Sequence, residues 1–129
     1  MNKKILLIAV YGLFFIPVAY AQTWDGSAGT DWNTPANWST NAIPIATGNV
    51  TIPGSLTNYP VLANNVTVNT IDMQTGSRLD FKGFNLTINT PTAGFSYFTG
   101  ATLNNTTAGT DISVNIITAP GYNTYFRNS

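Results

Sequence analysis

V-T-V-N-T-I-D-M-Q-T-G-S-R-L-D-F-K-G-F-N-L-T-I, from Val66 to Ile88, holds four apolar-polar-apolar triplets: Val66-Thr67-Val68, Ile71-Asp72-Met73, Leu79-Asp80-Phe81 and Leu86-Thr87-Ile88. In a strand the outer two side chains of each triplet point to one face and the middle one to the other. Gly76-Ser77 and Gly83 in the gaps supply turn freedom, and Asn69 and Asn85 can bond to nearby backbone. Short strands at near-regular spacing, with no helical period between them, describe an all-β stack. The expected fold is the N-terminal portion of a right-handed parallel β-helix. An antiparallel β-sandwich produces the same alternation and stands as the alternative.

Composition agrees with strands. Only 8% of the 129 residues are charged, against roughly 25% in an average soluble protein. The chain has no His, Cys or Glu, and its acids are Asp25, Asp31, Asp72, Asp80 and Asp111. Polarity rests on Thr and Asn, which suit exposed strand positions and turns rather than helices. A net charge of zero argues against nucleic acid, because phosphate binding needs clustered Lys and Arg.

The N-terminus has the three parts of a secretory signal: basic Lys3-Lys4, an apolar run from Ile5 to Val18, and Ala19-Tyr20-Ala21 with small residues at the cleavage positions. The run is shorter than the ~20 residues of a membrane span. Cleavage is expected between Ala21 and Gln22, leaving a secreted or outer-surface chain with no stable membrane span. The resulting organisation is a signal peptide at 1–21, a Trp-rich N-terminal cap at 22–48 and a strand repeat region at 49–129, truncated at its C-terminal end. Export would permit disulfides, yet no cysteine is present, so burial and the strand ladder must hold the fold.

All three tryptophans fall between residues 22 and 38. Trp24, Trp32 and Trp38 have two readings: a platform for stacking on sugar rings, or a lid over the first turn of a repeat array, which has no neighbour to bury against. The run W-D-G-S-A-G-T-D-W-N-T-P-A-N-W-S, followed by Ile43-Pro44 and Asn49-Val50-Thr51-Ile52-Pro53, resembles the N-terminal region of large bacterial secreted and surface proteins built on β-helices. These include autotransporter-like adhesins and cargo of the type IX secretion route. The resemblance covers about residues 22–90 and implies a structural or adhesive role; a polysaccharide or cell-surface glycan is the expected partner, and the stop at Arg127-Asn128-Ser129 without a polar cap gives the expectation of further coils in a longer chain. It carries over no catalytic residue.

Further along, Asn49–Ile52 reads as a first strand and Tyr59-Pro60 as an edge or turn. Phe95–Phe98 reads as a strand, and Ile112-Ser113-Val114-Asn115-Ile116 as an alternating one. Tyr122, Tyr125 and Phe126 offer apolar cover for a last layer. The expected inward residues are Val66, Val68, Ile71, Met73, Leu79, Phe81, Leu86, Ile88, Ile112, Val114 and Ile116, in about three or four coils.

Catalytic chemistry has few carriers. Without His or Cys there is no Ser-His or Cys-His nucleophile and no ordinary zinc site, and no cofactor is expected. The one charged cluster is Asp72, Arg78, Asp80 and Lys82, with Asp80 and Lys82 read as sharing an outward strand face. A polysaccharide lyase could use Arg78 or Lys82 as base beside Ca²⁺-holding acids; a solvated face is the simpler reading. Asn-X-Ser/Thr sequons at Asn37, Asn49, Asn65, Asn85, Asn104 and Asn105 are what an Asn/Thr-rich chain produces by chance. Three functions are thus open: a non-catalytic structural or adhesive module, the first part of a polysaccharide-degrading enzyme, and a small carbohydrate-binding domain.

Overall fold

The structure, a computed structural model, describes residues 21–90, 95–111, 113–118 and 124–127. The signal segment up to Tyr20, the break at Pro91–Gly94, Ile112, Pro120-Gly121 and Tyr122 lie outside the described residues. The described strands are β1 (Ala21–Thr23), β2 (Asn49–Ile52), β3 (Val66–Val68), β4 (Thr70–Met73), β5 (Arg78–Asp80), β6 (Leu86–Thr90), β7 (Ser96–Thr99), β8 (Thr102–Asn104), β9 (Val114–Thr118) and β10 (Thr124–Arg127). One 3-10 turn, Pro35–Asn37, is the sole helical element among the described residues.

The strands form three sheets, ordered β1-β2-β4-β7-β10, β3-β6-β9 and β5-β8. Every pairing between named strands is parallel, so the chain is a parallel β-helix of about four turns. That rules out the antiparallel sandwich, in which neighbouring strands would run in opposite directions. The third sheet reaches back toward the N-terminus through parallel bridges from Asp31 to Val61 and from Val61 to Asp80.

In-register stacking converts sequence triplets into apolar columns. Val50 lies beside Ile71, and Ile52 beside Met73, which lies beside Phe98. Val66, Leu86 and Val114 make a third column; Val68, Ile88 and Ile116 make a fourth. Leu79 stands over Leu103. The triplet residues from Val66 to Ile88 that were expected inside are all buried. Each fully buried aliphatic or Phe side chain contributes about 1.5–3 kcal/mol relative to exposure, so these columns are the main source of stability.

Polar corners tie one coil to the next. Asn69 Nδ2 and Thr70 Oγ1 both donate to Asn49 Oδ1, at 2.8 and 2.9 Å, and Thr90 Oγ1 donates to the Asn69 carbonyl at 2.6 Å. At another corner, Asn85 N donates to Asn65 Oδ1 (2.9 Å), while Asn85 Oδ1 accepts from Ser113 N (2.8 Å). The Asn65 and Asn85 amides thus satisfy backbone N–H groups where the chain bends. Gly54 permits a close approach of turns from adjacent coils: a Cβ there would sit 2.0 Å from the Thr75 carbonyl oxygen.

Several expectations need correction. The strand expected from Ile112 begins at Val114, and Ile116 is 42% exposed although it occupies an inward register position. The physical reason is its place in the stack: β9 has β6 on one side and, among the described residues, no strand on the other. The first strand is β1 rather than β2. It straddles the expected cleavage point, with Ala21, Gln22 and Thr23 beside Asn49, Val50 and Thr51. Tyr125, expected only as apolar cover, belongs to a strand paired with β7.

Candidate functional site

The Trp-rich segment forms the first turn of the stack. Trp24, Trp32 and Trp38 are 1%, 1% and 2% exposed and share one core with Val50, Ile52 and Leu62. Trp38 meets Trp24 edge-on at 5.1 Å and Trp32 at 4.7 Å between ring centroids. Trp24 Nε1 donates to the Asn58 carbonyl at 2.8 Å and Trp38 Nε1 to the Trp32 carbonyl at 2.9 Å, so both indole N–H groups are satisfied inside. Sugar stacking needs an open ring face, and these three rings present none.

The loop around them is held by its own polar groups. Asn37, fully buried, accepts from Ala28 N and donates to the Asp31 carbonyl. Gln22 Nε2 donates to Thr40 Oγ1 and to the Ala42 carbonyl, each at 2.7 Å. Gly26, at φ +62°, carries its carbonyl to Asn58 Nδ2; a Cβ there would lie 2.5 Å from the Asn58 carbonyl oxygen.

Three carboxylates act as turn organisers. Asp25 Oδ1 accepts from Ser27 N, Asp31 Oδ1 from Asn33 N and Asp80 Oδ1 from Lys82 N, each at 2.9 Å and two residues on. This is the side-chain mimic of a backbone turn. Asp80 Oδ1 also accepts from Thr106 N in the next coil at 3.2 Å. The reading of Asp80 and Lys82 as one strand face is therefore corrected: β5 ends at Asp80, and Lys82 sits in a turn at φ +48°. Asp72 belongs to another sheet, so the charged cluster does not converge. No group of three or more acids is placed to hold a metal ion among the described residues.

Outside the helix, the first sheet presents a different set. Its register aligns Thr23, Thr51, Asp72, Tyr97 and Tyr125 in one outward column, all half-buried. Tyr97 and Tyr125 stack at 5.4 Å with ring planes 12° apart. Phe95, 45% exposed, joins them at 6.5 and 6.1 Å, tilted 41° from each. The sequence showed these rings only as strand and cover residues. Their signal was present in F-x-Y at 95–97, but the residue that meets it, Tyr125, is found only once the coil lengths are known.

Among the described residues no helix is long and apolar enough to cross a membrane. No protein family, curated protein or solved structure matches the chain.

Proposed function

We propose that this chain is a non-catalytic structural and adhesive module of an exported bacterial surface protein. One observation supports this reading above the others: a single apolar core runs through the stacked coils, while the outward columns carry mainly hydroxyl, amide and phenol groups, with Asp72, Arg78 and Asp80 as charged members. Such a body presents a long face with few charges and keeps its carboxylates at Asp25, Asp31 and Asp80 engaged in turns. The basic N-terminus and the small residues at Ala19 and Ala21 support export, and the Trp and Gly spacing supports a bacterial surface setting.

The test is to raise antibodies against the chain and apply them to intact and permeabilised producing cells. Labelling of intact cells or of the medium, with reduced attachment to glycan-coated surfaces after deletion of the gene, is the expected result. Labelling confined to permeabilised cells would sink the reading. So would release of sugar fragments from a polysaccharide by the purified chain, which would make it an enzyme.

A further inference from the structure

We infer that Asp72, Phe95, Tyr97 and Tyr125 form a shallow site for a neutral polyhydroxylated chain, a hexose polymer, on the outer face of the first sheet. The inference deepens the adhesive reading and rests on it.

Ring geometry comes first. Tyr97 and Tyr125 stack nearly parallel at 5.4 Å, so their facing surfaces cover one another, and both are half-buried in the outward column. Phe95 is tilted 41° from each of them and is 45% exposed. An apolar face beside phenol groups is the combination that meets a sugar ring, whose C–H face is apolar and whose rim carries hydroxyls.

A charge argument selects among sugars. Asp72 lies directly beside Tyr97 in the same outward column. Its carboxylate is an acceptor for sugar hydroxyls, and a charge-assisted hydrogen bond is roughly twice as strong as a neutral one. The same charge repels uronic or sulfated sugars. Thr51 and Thr23 continue the column with hydroxyl groups that both donate and accept. At the ~4.8 Å strand spacing, the five positions span about 19 Å. That length accommodates several units of an extended polymer rather than one monosaccharide.

The experiment is affinity electrophoresis of the full mature chain through gels containing hydroxyethylcellulose, laminarin, galactomannan or polygalacturonate. The expected result is retardation by at least one of the three neutral polymers and none by polygalacturonate. Phe95→Ala should weaken that retardation about tenfold, the loss of roughly 1.4 kcal/mol, with an unchanged melting temperature. Asp72→Ala provides a second variant whose substituted side chain lies outside the core. Free migration through all three neutral polymers overturns the inference. So does stronger retardation by polygalacturonate, or retardation that both variants retain. If antibodies label intact cells while the polymers leave migration unchanged, the sugar site fails and the surface module stands.

Discussion

Lys82 and Ser77 are two residues at which the fold is less than optimal. Lys82 is held at φ +48°, a left-handed conformation that costs an L residue roughly 1–2 kcal/mol and glycine little. Glycine loses more chain entropy on folding, which offsets part of the gain. Lys82→Gly should therefore stabilise by about 0.5–1 kcal/mol, read as a higher urea midpoint at unchanged slope. A lower midpoint would mean that the Lys82 side chain contributes packing that outweighs its backbone strain. Ser77 is fully buried in the turn before β5, and its Oγ makes no hydrogen bond. A buried polar group without a partner costs about 1–3 kcal/mol. Ser77→Ala removes that group with little change of volume, so its melting temperature should match or exceed that of the natural chain. A clear fall would show that the hydroxyl is satisfied in solution.

The corners decide how one coil binds the next. Asn85 accepts from both Ser113 N and Ser113 Oγ, at 2.8 and 3.1 Å, across adjacent coils. Asn85→Ala leaves that half-buried N–H without its acceptor and should cost about 1–2 kcal/mol. Asn85→Asp keeps an acceptor at the same place and should recover most of the loss. Equal destabilisation by both would assign the effect to the amide Nδ2 instead. Such corners also explain what could be read before the structure was known. The triplets from Val66 to Ile88 were legible because alternation has a period of two within three residues, whatever the partner strand. Parallel pairing was not, since it depends on loops that return the chain to the same face. Backbone hydrogen bonds between successive coils span from 18 residues, Leu62 to Asp80, to 31, Val61 to Thr30. With coils so uneven, the turn-rich surroundings of Thr102–Asn104 concealed β8, which exists because β5 lies beside it. The candidate site was hidden for the same reason. The tryptophans were conspicuous by composition and turned out to be core, whereas Tyr97 and Tyr125 become neighbours only through register.

At the scale of the whole stack, the first and last described turns are unequal. The N-terminal turn closes over the core with three indoles that are almost entirely buried. At the other end the inward-register residues are less covered: Val114 is half-buried and Ile116 is 42% exposed. In a stack where each coil contacts only its neighbours, stability is close to a sum of coil and interface terms, and unfolding proceeds from the weaker end. Local opening then follows burial, and amide exchange reports it. In native-state hydrogen exchange, Thr87 of β6, whose N–H faces β3, should be protected far longer than its register partner Asn115 of β9, whereas Leu86, whose N–H donates to the Ser113 carbonyl, should lose protection together with β9. Because all three tryptophans lie in the first turn, their fluorescence reports that end alone. In a urea titration the fluorescence transition should fall at higher denaturant than the first loss of strand signal by circular dichroism. Equal protection in β6 and β9, with coincident transitions, would mean that the coils unfold as one unit and that the exposure of Ile116 does not weaken its end. Ionic strength provides the control. With 8% of residues charged, sodium chloride should leave the order of opening unchanged. Burial, which differs between the ends, is then the property that sets the gradient.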